Sequence, residues 1–452
     1  MIKKTKYLII GAGPSGLGAG WHLKKRGIND FLILEKENYA GGLSASFKDK
    51  KGFYWDLGGH VLFGNNKEFI EIIESFLGKD LVKHRRKAGI YFKRKFIPYP
   101  FQDNVACLPK LLYKKVQKDL NNRLQGVALQ GLQELENFQE WLCATFGKTL
   151  SEIFFIPQNE KSWAYPLEKM SYSWIAKRIK IPDLENLGLE NKKSNKWGSN
   201  AIFYYPKTGG IGTVWQKMAQ SYGNKIRFKN EVKAIDIGKK KVYLKTGEIV
   251  NYEYLISTMP LDVLLRILLP QKKRNKTKDY KRYAATWPLL SLSEKKLKRN
   301  KGLIVGLGIK GKLNNDFHWL YYPQKEFSFF RLVFPSNFSF VPKGYCSIIA
   351  EVSLEQGRKL EKADKEKIIQ KVIDSVKKLS LFKGEIVSVF DKQVDYFYPI
   401  PTLKRDDVLE KINAFLNKER IYSIGRFGGW KYEKGNMDDG FKASELKSKI
   451  NI

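Results

Sequence analysis

The sequence predicts an α/β fold in three parts, and three observations carry that reading. A strand, a glycine turn and a helix open the chain at Tyr7-Leu-Ile-Ile-Gly11-Ala-Gly13-Pro-Ser-Gly16-Leu. A stretch from about Pro109 to Arg178 is mostly helical in pattern. Strand patterns then resume at Ala201, and a second glycine cluster at Gly425 precedes a last helix. This order, in which the chain leaves its first fold and returns to it, implies discontinuous domains with a cleft between them.

The N-terminal element is justified by steric need. Tyr7 to Ile10 reads as a buried parallel strand and Gly16 to Arg26 as a helix. Gly11 allows the tight turn, Gly13 lets a pyrophosphate approach the backbone, and Gly16 lets helix and strand pack closely. The helix N-terminus then faces the phosphates. Phe31-Leu-Ile-Leu34 is a second apolar strand ending in Glu35, nineteen residues past Gly16, where a carboxylate would bind a ribose hydroxyl. An NAD site or an ordinary βαβ turn could share this much. Gly41-Gly42, soon after the acid, favours FAD. The expected core is therefore an FAD-binding Rossmann-like domain, with an inserted helical domain and an antiparallel β-sheet domain.

The remaining elements follow in order. Glu68 to Leu77 reads as a helix, and Ile90 to Ile97 as one strand that breaks at Pro98-Tyr-Pro100. The helical stretch includes Phe138 to Phe146 and Tyr172 to Arg178, and polar Asn191 to Asn200 reads as a mobile loop. Strands are expected at Ala201 to Tyr205, Ile226 to Phe228, Glu231 to Ile237, Lys241 to Lys245 and Tyr252 to Ser257. An antiparallel sheet is expected from Leu303 to Gly308, His318 to Tyr322, Phe327 to Phe334 and Tyr345 to Val352. Ala363 to Leu379 reads as a helix, and Asn436 begins the last one. The expected FAD-binding domain comprises residues 1–80, 203–270 and 415–452; the helical substrate domain comprises 100–200; the antiparallel sheet domain comprises 84–99 and 300–400.

Composition sets the outer bounds. A chain of 452 residues, 43% hydrophobic, is long enough for two or three domains. No uncharged run reaches the roughly 20 apolar residues of a membrane span. The first strand follows Met1-Ile-Lys-Lys-Thr-Lys directly, which argues against a signal peptide. Three scattered cysteines and four dispersed histidines point to neither a disulfide framework nor a metal site, and a reducing cytoplasm is the simplest setting. The net charge of +36 is spread along the chain, except for a basic stretch from Gln271 to Lys301. A solvated lysine surface that also steers anionic substrate explains it best, with peripheral membrane contact as the second option and no nucleic acid expected.

Three constellations suggest chemistry. Gly58-Gly59-His60, at the end of an apolar strand, would let backbone lie against a ring, although a plain strand turn would read the same way. Gly425-Arg426-Phe-Gly-Gly-Trp-Lys-Tyr432, leading to Asn436-Met437, places backbone N–H groups and a helix start near an anion, or is a simple cap. Arg178 and Arg331 suit bidentate phosphate contact, but among 82 basic residues chemistry alone does not select them.

Together with Pro98-Tyr-Pro-Phe-Gln102, Pro157-Gln-Asn159-Glu-Lys-Ser-Trp163, Trp174-Ile-Ala-Lys-Arg178, Trp197-Gly-Ser-Asn200, Pro206-Lys-Thr-Gly-Gly210, Trp319-Leu-Tyr321 and Tyr398-Pro-Ile-Pro401, these segments resemble the UDP-galactopyranose mutases. The eukaryotic-type branch is the nearer one, and the blocks occur in order over nearly the whole chain. The resemblance implies an isomerase that interconverts UDP-galactopyranose and UDP-galactofuranose for galactofuranose-containing glycans. Its FAD would act reduced, with flavin N5 as nucleophile at the anomeric carbon and NADPH or NADH as reductant.

Carried over by position, Arg178 and Arg331 would clamp the diphosphate, and Tyr321, Tyr398 and Tyr432 would donate hydroxyls to it. Tyr99 and Gln102 would hold the uridine with Phe101 nearby, while Asn159, Trp163 and Asn200 would shape the nucleotide and sugar pocket. His60 would sit near N5 with Gly59 and Phe63 beside it. Arg86, Gly425, Arg426 and Met437 would approach the flavin, and Asn436 the sugar–flavin contact. Gly11, Gly13, Gly16, Glu35 and Gly42 would grip the ADP side. Loops at Lys177 to Ile181 and Trp197 to Ile202 would close on UDP. The long basic stretch and the short C-terminal helix depart from the family pattern. An FAD-dependent oxidoreductase of the amine-oxidase or desaturase type, a mutase for another UDP-sugar, and a flavin-bearing protein that binds a polyanion are the alternatives.

Overall fold

The computed structural model describes residues 2–64, 66–126, 135–175, 201–268 and 286–442. A mixed sheet runs in the order Ile226–Arg227, Phe31–Leu34, Ile2–Ile10, Ile249–Ser257, Lys241–Leu244, Val232–Asp236, and Ile421–Ser423 also pairs with Ile249–Ser257. Ile226–Arg227, Phe31–Leu34, Ile2–Ile10, Ile249–Ser257 and Ile421–Ser423 pair in parallel, while Lys241–Leu244 and Val232–Asp236 form an antiparallel hairpin at one side. Phe31 to Leu34 are all buried, as expected for a strand covered on both faces. The helix Pro14–Lys25 covers it with a small-residue stripe of Ser15, Gly16, Gly18, Ala19 and Gly20. That stripe admits the last described helix, Met437–Lys442: a Cβ on Gly18 would lie 2.5 Å from the Phe441 carbonyl oxygen.

A second sheet of seven strands is ordered Phe382–Val394, Lys301–Leu313, Tyr345–Leu354, Arg331–Val333, Trp319–Tyr321, Ala88–Phe92, Lys95–Pro98. It is antiparallel except where Trp319–Tyr321 runs parallel to Ala88–Phe92. Gly306 and Gly308 on its long strand Lys301–Leu313 seat the buried rings of Trp55 and Phe53, so this sheet packs on the short hairpin of Ser46–Lys48 and Tyr54–Asp56. Leu62–Phe63, Ile202–Pro206 and Leu81–Arg85 form a small sheet between them. The helices Lys110–Gly126, Phe138–Phe146 and Ile156–Trp163 enclose an aromatic core in which Phe146 stacks on Phe155 at 3.9 Å.

Several local expectations are corrected. Ile90 to Ile97 is a hairpin and not one strand: it turns at Lys93 and Arg94, both with positive φ. Two basic residues without glycine or asparagine give no turn signal. Only Arg331–Val333 of Phe327 to Phe334 is strand, and residues 172–175 form a turn instead of helix. The strand Phe382–Val394 and the helices Gly212–Gln220, Leu261–Ile267, Thr286–Lys296 and Arg405–Lys418 add to the elements read from the sequence. Arg178, Asn200, most of both proposed UDP loops and the basic run up to residue 285 lie outside the described residues.

Candidate active site

The nucleotide grip starts from glycines with different reasons. Gly11 has φ +100°, and a Cβ there would meet the Thr258 hydroxyl. A Cβ on Gly16 would strike the Gly11 carbonyl oxygen. Protein sterics require both. Gly13 is different: it caps the Pro14–Lys25 helix with φ −77°, and a Cβ there would find no atom nearer than 3.9 Å. Nothing in the chain demands glycine at this position, whereas a pyrophosphate resting on the helix N-terminus does. Gly42, with φ +53°, faces it across that gap. Glu35 is buried beside the turn and accepts from the N–H groups of Ala12 (2.7 Å) and Glu37 (2.9 Å). Burial raises its carboxyl above the usual range, against the pull of those two N–H groups. Gly425, φ +85°, and Gly440 both pack on the Ser15 hydroxyl, which brings the C-terminal segment to the same turn. These features fit a dinucleotide cofactor.

At the far end, register builds the site. Tyr321 pairs with Arg331, and Arg331 pairs with Glu351, so the three lie in one row across adjacent strands. Glu351 is fully buried and accepts from Arg331 Nε at 3.1 Å and from Nη2 at 2.7 and 2.8 Å. It also accepts the Gly59 N–H at 2.5 Å. A Cβ on Gly58 would lie 3.1 Å from the Glu351 carboxylate, and one on Gly59 3.2 Å from the Arg331 guanidinium. The paired glycines are thus explained by the ion pair behind them. Burial opposes the Arg331 charge, but Glu351 outweighs it and holds the guanidinium charged well above the ordinary range. Arg331 Nη1 makes no hydrogen bond among the described residues, which leaves its donors for a ligand.

His60 is half-buried, but its Nδ1 is shielded from solvent and has no hydrogen-bond partner among the described residues. Burial, then Arg426 and Arg331, push it down to about 3, so it is neutral at ordinary pH. Around this centre stands an aromatic wall. Tyr99 stacks on Tyr321 at 5.4 Å, with the Arg86 guanidinium 4.7 Å over the Tyr99 ring. Tyr432 meets Trp163 at 4.8 Å and Tyr398 at 5.5 Å, edge to face, and Arg426 lies about 6 Å from both tyrosine rings. Burial pushes Tyr99 up to about 12 and raises Tyr398 further, so both remain protonated donors.

The structure therefore brings His60, Gly59, Arg86, Tyr99, Trp163, Tyr321, Arg331, Tyr398, Arg426 and Tyr432 together. Asn436 and Met437 sit at the start of the last described helix, half-buried, and Phe63 lies on the short strand beside Phe203. Asn159 is spent within its own helix, donating to the Phe155 carbonyl at 2.8 Å and accepting from the Trp163 indole at 3.3 Å. Phe101 and Gln102 are buried, and Phe101 stacks on Phe154 at 4.5 Å, so it backs the wall from the helical core. Glu351 was not anticipated. Its signal was available: one carboxylate inside the apolar run Cys346-Ser-Ile-Ile-Ala-Glu351-Val needs a buried cation.

Residues 14–397 match the family described as flavin containing amine oxidoreductase. A crystal structure of reduced UDP-galactopyranose mutase is 32% identical, with a TM-score of 0.88, over 97% of this chain and 91% of that one. The chain belongs to the UDP-galactopyranose mutase branch of the flavin-containing amine oxidoreductase family. More distant members share less. Flavin-containing amine oxidase A of Canis lupus familiaris is 22% identical over 284 residues, 58% of this chain and 50% of that protein. The chain spans about half the length of the curated relatives it matches. A fatty acid isomerase from P. acnes, 15% identical with TM-score 0.67 over 99% of both chains, shares the fold alone. The fold of this mutase-branch chain is thus the family's FAD-binding fold of mixed α/β sheets, and flavin is its cofactor class. Among the described residues, no helix is long and apolar enough to cross a membrane.

Proposed function

We propose that the protein interconverts UDP-galactopyranose and UDP-galactofuranose. The observation that carries this is Arg331, fixed by buried Glu351 in the same row as Tyr321, with Tyr398 close enough to act on its charge and Tyr432 packed on Tyr398. A net oxidation of an amine gives no reason for a buried cation surrounded by phenols, whereas a diphosphate leaving group does.

The Gly11–Gly16 turn, the helix N-terminus and Glu35 would hold the ADP part of FAD, and the Gly58–His60 turn would lie against its ring. Reduced flavin, when bound, supplies the nucleophile for the anomeric carbon. The chain's residues supply the rest. Arg331, with Arg178 as its expected counterpart, neutralises the diphosphate as it departs and holds it for return. Tyr321, Tyr398 and Tyr432 donate to its oxygens. Neutral His60 adds no charge beside two arginines and has one ring nitrogen to donate and one to accept a hydrogen bond from the sugar or ring. Tyr99, Trp163 and the expected Asn200 enclose the nucleotide and exclude water. NADPH or NADH is the expected reductant, the cytoplasm the expected location, and galactofuranose-containing glycans the expected destination of the product.

The test is direct. Flavin-loaded protein with dithionite converts UDP-galactofuranose to UDP-galactopyranose, and omission of the reductant stops it. No conversion with reduced flavin bound overturns the reading.

A further inference from the structure

Lys161 lies on the helix that carries Asn159 and Trp163, yet its side chain turns away from both. Its Nζ donates to three backbone carbonyls, those of Tyr322 (2.6 Å), Gln324 (2.8 Å) and Phe329 (2.7 Å). All three belong to the connection between Trp319–Tyr321 and Arg331–Val333. Tyr322 follows Tyr321 directly, and Phe329 stands two residues before Arg331. An ammonium has three N–H bonds, and here each finds a separate acceptor. A neutral amine has two, so deprotonation would orphan one carbonyl.

Neighbouring contacts tie the same helix to the other site-bearing strands. Gln158 Nε2 donates to the Phe330 carbonyl at 3.3 Å. Asn300, fully buried, donates to the carbonyls of Ser162 and Trp163, both at 3.0 Å, and accepts the Tyr398 N–H at 2.7 Å. Within this set Lys161 carries the charge.

We infer that Lys161 is a positioning residue whose ammonium clasps the 322–330 connection to the Ile156–Trp163 helix and so sets the spacing between Trp163 on one wall of the cleft and Tyr321 and Arg331 on the other. The inference rests on the reading of that cleft as a UDP-sugar site. Lys161 touches no reacting atom and acts through the loop. Burial pushes its amine down to about 7, with Glu326 on the same connection pulling the other way, so the clasp is complete below about pH 7 and loosens above it. The diphosphate of a UDP-sugar does not titrate in that range.

The experiment compares wild type with Lys161→Met, both flavin-loaded, by kinetics and by amide hydrogen exchange of peptides covering residues 320–333. In the variant, KM for UDP-galactofuranose rises about tenfold while kcat at saturation changes little, and exchange in 320–333 accelerates. In the wild type, KM rises as pH passes upward through about 7, and the variant lacks that step. A folded variant with wild-type KM, pH profile and exchange overturns the inference. Should Lys161→Met not fold, the wild type decides alone: 320–333 exchange, corrected for intrinsic base catalysis, must gain a step near neutral pH, and a flat profile overturns the clasp. The exchange readout needs no substrate. Wild-type protein that shows the step but converts no UDP-sugar therefore retires the functional reading and not the clasp.

Discussion

Arg331 and Glu351 face each other in register on adjacent antiparallel strands, and the carboxylate, fully buried, also holds the Gly59 N–H. One acid thus fixes both the cation proposed to take the substrate diphosphate and the turn proposed to lie against the flavin ring.

Breaking that pair from one side strands a buried charge. Arg331→Met is expected to lose about 3–5 kcal/mol of stability, and adding Glu351→Gln to it to recover much of the loss. Urea unfolding of the single and double variants measures this. Arg331→Ala in the reduced enzyme is expected to cost about 2–4 kcal/mol in kcat/KM, and retained activity would show that the diphosphate lies elsewhere.

The glycines of the first turn separate into two kinds. Gly13→Ala meets no protein atom nearer than 3.9 Å, so the apoprotein is expected to melt as wild type while the flavin-to-protein ratio falls sharply. Gly16→Ala collides with the Gly11 carbonyl and is expected to lower apoprotein stability by about 1–3 kcal/mol before any cofactor binds. Equal effects of the two substitutions on apoprotein melting would remove the argument for a pyrophosphate over Gly13.

Shielded histidines pull stability down on acidification, His84 with the two strongest, while Asp56 and Glu35, whose carboxyls burial raises, act the other way. Burial pushes His318 down to about 4 and His60 down to about 3, from ordinary values of 6.5. Between the folded and unfolded values the unfolded chain binds more protons, so their contribution is complete above about pH 6.5 and is lost on acidification. Each fully decoupled histidine costs about 1.4 kcal/mol per pH unit in that window. Urea midpoints at neutral pH and near pH 5 test this, and His60→Gln is expected to reduce the slope.

Arg405 offers a check on the aromatic wall from outside it. It is 1% exposed, pairs with both Glu433 oxygens at 2.8 and 3.0 Å, and holds Asp406, which accepts from Ser173 at 3.3 Å. Glu433 and Ser173 adjoin Tyr432 and Trp174, whose rings meet at 5.5 Å. Glu433→Gln is expected to weaken UDP binding several-fold with the flavin retained, and unchanged binding in calorimetry would detach Tyr432 from the nucleotide.

The nucleotide grip was legible in the sequence because its causes are local. A turn with positive φ at Gly11, a clash at Gly16 and a buried strand at Phe31 to Leu34 each leave a mark within a few residues. The hairpin at Lys93-Arg94 left none, since its turn residues are ordinary surface cations held in place by pairing. The strand Phe382–Val394 alternates irregularly between exposed and half-buried residues, as an edge strand does, and gave no clear period. The helix Arg405–Lys418 starts without a side-chain cap. At the site, the tyrosines and Arg331 were reached through ordered motifs. Glu351, Lys161 and Asn300 were not, because their meaning lies in partners 20 to 292 residues away.

The parallel sheet sets a timetable for biosynthesis. Its middle strand, Ile249–Ser257, is flanked by Ile2–Ile10 on one side and Ile421–Ser423 on the other. A nascent chain emerging from the ribosome therefore makes the Gly11–Gly16 turn first but lacks one strand of its sheet until residues 421–423 are translated. The Gly425 turn that closes over Ser15 arrives later still. Such long sequence separation makes assembly slow and non-local. The turn expected to hold the flavin is therefore incomplete until residues 421–425 have been made, and a chain arrested before residue 421 is expected to retain flavin poorly.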